Sequence, residues 1–204
     1  MNREDFAKAI ELHLPDYLSG SSYDELIRQL GNTPDIDAFF WSPTDREVGE
    51  VLQGDAWTHI PIRDPSTGEQ KHITGVILSN SCDIDPNNQG RPRRRVLVAP
   101  AIKLSDYETL LTHERFDAPR ISGFIQSVRS NRVSSIAHFP AESNINDADR
   151  IVILDNVYNV PLEEFQNAVG ARLFRLSNAG FYIFLLKLSI HFTRLHERVD
   201  RSDL

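Results

Sequence analysis

The spacing of apolar residues changes twice along the chain, from helical to alternating at Gly54 and back to helical near Ser177. Phe6, Ile10 and Leu14 lie at helical intervals, which predicts a short amphipathic helix over 3–13 stopped by Pro15. YDELIRQL predicts a second helix, with Ser22 as its cap and Gly31 just past its end. DIDAFFW at 35–41 predicts one more helical turn. In DAWTHIPI at 55–62, Ala56, Thr58 and Ile60 alternate with Trp57, His59 and Pro61, the period of a strand. DPSTGEQKH at 64–72 reads as a turn-rich loop that holds His72, and GVILSNS at 75–81 as a buried strand. After the polar connection CDIDPNNQGRPRR, RVLVAPAI at 95–102 is the next buried strand, its hydrogen-bonded part ending at Pro100.

Residues 104–136 fit helix or irregular loop, with Ser105 as a cap for LSDYETLLTH. Strands follow at 136–140 and 150–156, then the helix PLEEFQNAV with Pro161 in its first turn. A long last helix is predicted from 177 to 198. Phe181, Phe184, Leu185, Leu188, Phe192 and Leu195 form its stripe, and Ile183, Leu186 and Ile190 widen it. A face that wide packs on the domain or joins a second copy of the chain in a homodimer. The pattern predicts an α+β protein, with a helical extension over 1–53 and a β-rich domain over 54–204.

The chain has 204 residues, 40% of them apolar, enough to bury a core without metal or disulfide staples. Cys82 is the single cysteine, so no disulfide forms within the chain. No apolar run follows the N-terminal charges Arg3, Glu4 and Asp5, and 181–192 is too short for a membrane span. The expectation is a cytoplasmic protein with no membrane partner. Net charge is −7, so any nucleic-acid face must be local. The local candidate is RPRRR, whose Arg91, Arg93 and Arg94 either meet phosphates or form a solvated hairpin tip.

Residues 54–104 resemble the first three strands of the PemK/MazF toxins. The resemblance rests on Gly54-Asp55 before an alternating strand, Gly68-Glu69-Gln70 in the loop, Val76-Ile77-Leu78-Ser79, and Val96-Leu97-Val98-Ala99-Pro100. IVILDNVYNVPLEEF is similar to the family's later strand and the start of its closing helix. The resemblance implies a small, strongly bent SH3-like β-barrel. It also implies a toxin–antitoxin endoribonuclease, with RNA as substrate and an antitoxin-like protein as partner. A second pattern, found in uncharacterised bacterial proteins, is similar to Ser79-Asn80-Ser81-Cys82-Asp83-Ile84, His138-Phe139-Pro140 and Arg175-Leu176-Ser177.

The toxins cut with an arginine just before the second strand and a threonine or serine just after the third. Here those places read His72-Ile73-Thr74 and Ala101-Ile102-Lys103. The candidate catalytic groups are therefore His72, Lys103 and Arg63, with Cys82 as a further one. Cleavage needs a base, an acid and positive charge on the phosphate. If these groups do not act together, the alternative is a non-catalytic module that binds protein or nucleic acid. Cys82 is either a nucleophile activated by a histidine such as His72 or His138, or a small buried side chain in a turn. The expectation is the buried one. His191 and His196 are five apart and miss the four-residue spacing of helical metal ligands, so no metal or cofactor is expected.

Overall fold

The computed structural model describes residues 28–29, 36, 38–42, 50–85, 87–88 and 94–193. The helices expected at 3–13 and 23–30 lie outside the described residues, apart from Arg28 and Gln29, which are helical. Arg91, Arg93 and the final helix beyond Thr193 also lie outside them.

The described residues form an α+β fold with seven antiparallel strands in one sheet and five helices. In chain order these are β1 (Ala56–Arg63), β2 (Gln70–Ile77), α1 (Ser81–Ile84), β3 (Arg95–Lys103), α2 (Leu104–His113) and α3 (Ala118–Arg129). Then come β4 (Ile136–Phe139), β5 (Arg150–Ile153), β6 (Tyr158–Pro161), α4 (Leu162–Ala168), β7 (Arg172–Phe174) and α5 (Asn178–Thr193). The sheet order is β4-β5-β3-β2-β1-β7, with β6 on β3. The sheet does not close into the expected barrel. The second edge of β1 is taken by β7, through Ala56↔Phe174 and Trp57↔Arg172, so it does not pair with β6.

β3 explains how so short a chain makes so wide a sheet. Its first half lies between β2 and β6, and its second half pairs with β5. Pro100 faces Gly75 as the last pair with β2, but the strand runs on to Lys103 along β5 rather than ending there. β5 and β6 are successive pieces of one partner, and residues 154–157 loop out between them.

The alternation expected in β1 is broken by a bulge. The register against β2 shifts between Trp57 and Ile60, and His59 takes a left-handed φ of 54°. The extra residue turns Ile60 and Ile62 to the face of Trp57, not to that of Ala56. Ala56, Val76, Ala99, Ala101, Val152 and Ala137 share one face, under α5 and Phe39 and Phe40. Their small side chains leave room for the rings of Phe139, Phe174 and Phe184. On the other face, Ile60, Ile62, Ile77, Val96, Val98 and Val160 pack with Leu162 and Phe165 of α4. Ile136 and Ile151 pack there with Leu104 of α2 and with Ile121, Ile125 and Val128 of α3.

Several local expectations change. The 35–41 segment is not a helical turn where it is described, because Phe40 bridges Leu176 in extended form and Trp41 N donates to Arg175 O. β2 begins at Gln70, so His72 is on a strand rather than in a loop, and the strand ends at Ile77 rather than Ser81. Asp64 closes the turn before it by accepting from Ser66 N, Ser66 Oγ, Thr67 N and Lys71 Nζ, and Gly68 supplies a φ of 73°. These bonds hold the Asp64 carboxyl well below the usual range. Residues 104–136 resolve into two helices. α2 starts after Lys103 without a side-chain cap, leaving Ser105 inside it, whereas Asp117 caps α3 by accepting from Arg120 N. Pro161 is the cap of α4 and not its first turn. α5 packs on the domain, burying Ile183, Phe184, Lys187 and His191, while Phe192 stays exposed. No helix among the described residues is long and apolar enough to cross a membrane.

Candidate functional site

Two motif fragments tie the ends of the domain together. Gly54 takes a φ of 87° and bonds Ile77 O, and Asp55 O accepts from Ile77 N, which starts β1 beside the end of β2. The Asp55 side chain, 1% exposed, accepts from Arg175 Nε at 3.1 and 3.2 Å and from an Arg175 terminal nitrogen at 2.8 Å. Burial pushes the Asp55 carboxyl up, and Arg175 only partly offsets this. Ser177 Oγ accepts from Gly180 N to start α5 and donates to Ala38 O. Gly180 has no room for a side chain, since a Cβ would meet Phe39 O. Gly54-Asp55 and Arg175-Leu176-Ser177 thus have structural work.

The same holds for most of SNSCDI. Ser79 Oγ accepts from Leu97 N, Asn80 Oδ1 from Cys82 N, and Ser81 Oγ from Gln53 N. Asn80 starts the single turn of α1, which turns Ser81 and Ile84 inward and Cys82 outward. Cys82 is therefore exposed, not buried as its type suggested. It lines a cleft of about 460 Å³ with Trp57, Ile84, Leu162, Phe165 and Val169. A neutral thiol reagent is expected to label native Cys82 nearly as fast as the unfolded chain. Strong protection in the native state would contradict this placement.

The four expected catalytic residues separate into two groups. Pro61↔His72 and Arg63↔Gln70 are ladder pairs, so Arg63 and His72 share a face of the β1–β2 hairpin as diagonal neighbours. Val76↔Ala99 puts Thr74 and His72 on the face of Ala101 and Lys103. His72 and Arg63 are thus neighbours, while Lys103 stands on the same face but beyond the last β2–β3 pair, Gly75↔Pro100, where the two strands have parted. Cys82 lies past the other end of β2, since His72 to Ile77 alone spans about 16 Å of strand. His138 does not approach Cys82 either. It is buried on β4, with Nε2 3.6 Å from Asp149 Oδ1, and burial pushes its imidazole pKa down against the pull of Asp149.

Each group in the first cluster has a defined neighbour. Arg63 donates to Gly68 O at 3.1 Å. Lys103 donates to Asp147 at 3.1 Å, and Arg150, its partner across β5, donates to the same carboxylate at 2.6 Å. These two bonds, Arg150 first, hold the Asp147 carboxyl below its ordinary range. Where β2 and β3 part, Thr74, Lys103, Asp106, Tyr107 and Arg150 line a cleft of about 380 Å³. The His72 ring has a neighbour the sequence reading passed over as a strand residue. His59 lies beside it with ring centroids 6.4 Å apart, and both are exposed. The strand alternation already put His59 with Pro61, but His72 was expected in the loop, which hid the pairing. Among the described residues no three His, Cys, Asp or Glu side chains gather as a metal site.

Of the RPRRR run, Arg94 and Arg95 are described. Arg94 donates to Asp85 O, and Arg95 donates to the side chain and carbonyl of Asn159 at 2.6 Å each. They line a polar groove of about 540 Å³ with Glu163. Leu162 and Gln166 wall both this groove and the Cys82 cleft, so the two are contiguous. No protein-family model matches the chain, and no curated protein sequence matches it.

Proposed function

We propose that this protein acts on RNA as an endoribonuclease of the PemK/MazF toxin type, on an open version of that sheet. The observation that carries the reading is one face of the sheet, where His72 and Arg63 are neighbours and which Lys103 shares. An imidazole can exchange a proton with a ribose or leaving oxygen, and two cations can offset phosphate charge. This is the place where the resemblance puts the toxins' cutting groups. The local cations matter because the chain as a whole carries a charge of −7. Cys82 has no part in this chemistry, being at the far end of β2.

A second reading, nucleic-acid binding without cleavage, is favoured by the groove that joins Arg94 and Arg95 to the Trp57 cleft. A basic groove beside an aromatic wall suits phosphates and unstacked bases. One experiment separates the two. Purified protein is incubated with an end-labelled RNA pool, and binding is measured across salt concentrations. The enzyme reading expects cleavage that falls in His72→Gln and Lys103→Met. Intact RNA, bound with a salt slope that flattens in the Arg91, Arg93, Arg94 triple alanine variant, would replace it with the binding reading. Intact RNA with no binding would remove both.

A further inference from the structure

The bulge in β1 is built, not incidental. His59 adopts a left-handed φ of 54°, a conformation costly for a side chain with a Cβ. Two backbone bonds pin it in place: Gly170 N donates to Thr58 O at 2.8 Å and Thr58 N to Ala171 O at 3.0 Å. Gly170 also makes room for the ring, since a Cβ there would come within 2.8 Å of His59 Nδ1 and 2.5 Å of Thr58 Oγ1. The effect is to bring His59 beside His72, with ring centroids 6.4 Å apart and ring planes 53° apart, in solvent. Strain of this kind, held by its surroundings, points to use.

We infer that His59 and His72 form the acid–base pair of the site, a deepening that rests on the ribonuclease reading above. Proton transfer needs an approach of about 3 Å to each reacting oxygen. Two imidazoles at this spacing can each reach an oxygen of one phosphate lying across them. One takes the proton of the ribose 2′-hydroxyl, and the 2′-oxygen forms a bond to phosphorus. The bond from phosphorus to the 5′-oxygen breaks, and the other imidazole gives its proton to that oxygen. The products are a 2′,3′-cyclic phosphate and a 5′-hydroxyl, with no redox change and no co-reactant. Arg63, diagonal to His72 on the same face, offsets charge on the phosphate. The charged side chains on the bordering elements are Arg63 of β1, Lys71 of β2, Arg95 and Lys103 of β3, Glu163 and Glu164 of α4 and Arg172 of β7, with Asp64 and Glu69 in the turn.

The test uses the full chain and a single-stranded RNA of mixed sequence labelled at both ends. His59→Asn keeps a residue that tolerates positive φ but cannot shuttle a proton, and His72→Gln does the same on the strand. Each is expected to lower cleavage about 100-fold or more. The double variant should fall little further, as groups that act as a unit do. The wild-type rate should be bell-shaped in pH, and each single variant should lose one limb. The wild type alone also tests the pair, because products ending in a 3′-hydroxyl would overturn it even if a variant failed to fold. Cleavage that survives in His59→Asn with both limbs intact would refute the pair and leave the ribonuclease reading standing. RNA left whole by the wild type would refute that reading, and the pair with it.

Discussion

Replacing Arg175 with alanine is expected to lower folding stability by about 3–5 kcal/mol, the usual cost of stranding a buried charge. Asp55 is 1% exposed and takes three bonds from Arg175, with Leu52 N as a weaker donor at 3.3 Å. Arg175 also donates to Glu50 O at 2.6 Å and lies 5.9 Å from the Trp41 ring, so its loss frees three segments at once. The pH dependence has a definite sign. Burial raises the Asp55 pKa in the folded state. Such a group favours the fold below its unfolded pKa and loses that benefit as pH rises through the folded value. Without Arg175 the carboxyl rises further, so the penalty should be largest at neutral pH and shrink in acid as Asp55 takes up its proton. Urea unfolding of the wild type and Arg175→Ala at several pH values measures this. A penalty under about 1 kcal/mol, within reach of an ordinary surface pair, would mean the ion pair does not hold the domain together.

The main strands were legible because their residues are β-branched and bounded by turn chemistry. RVLVAPAI became β3 nearly as expected, and IAHFP and RIVILDN became β4 and β5. What stayed hidden depended on partners far along the chain. β7 is only Arg172–Phe174, too short to announce itself, yet it takes the edge of β1 and keeps the sheet open. The bulge at Thr58–His59 is set by Gly170 and Ala171, more than a hundred residues away, so no local period could reveal it. Phe39 and Phe40 looked helical by their neighbours, but Phe40 bridges Leu176 and Phe39 O accepts from Ser177 N, while Trp41 N donates to Arg175 O.

The site was legible in part. The resemblance directed attention to His72, Arg63 and Lys103, which do share a face. It could not reveal His59, because placing His72 in the loop removed its cross-strand neighbour. It also drew in Cys82, expected at the end of the second strand, whereas the structure places it past the far end of β2 from His72. The strand stops at Ile77 because Ser79 Oγ, rather than a strand carbonyl, takes the Leu97 N–H, and the chain turns into α1. Arg150 and Asp147, which fix Lys103, come from a segment with no motif and are brought there only by the β3–β5 ladder.

Stability should rise between about pH 8 and pH 10.5, the interval between the folded and unfolded pKa values of Lys187. Lys187 is 5% exposed on α5 and donates to Asn131 O at 3.0 Å and Val133 O at 2.5 Å, just past the C-terminus of α3. Asn131 ends that helix with a left-handed φ of 55°, which turns these carbonyls toward α5. The ammonium suits carbonyls at a helix end, but burial outweighs this and lowers its pKa to about 8. In the interval the unfolded chain binds more protons than the folded one, so raising pH favours folding. At about 1.36 kcal/mol per pKa unit, the whole interval is worth about 3 kcal/mol. The useful quantity is the wild type minus Lys187→Met, in which every group common to the two cancels. That difference should climb with pH and level off near pH 10.5. Below pH 8 it should be flat, because Lys187 is charged in both states. His191, one turn on, lies 3.1 Å from Asp155 and is the same in both proteins. A flat difference would mean that Lys187 does not lose charge in the fold. A falling one would mean that its two hydrogen bonds hold the charged form more strongly than burial opposes it.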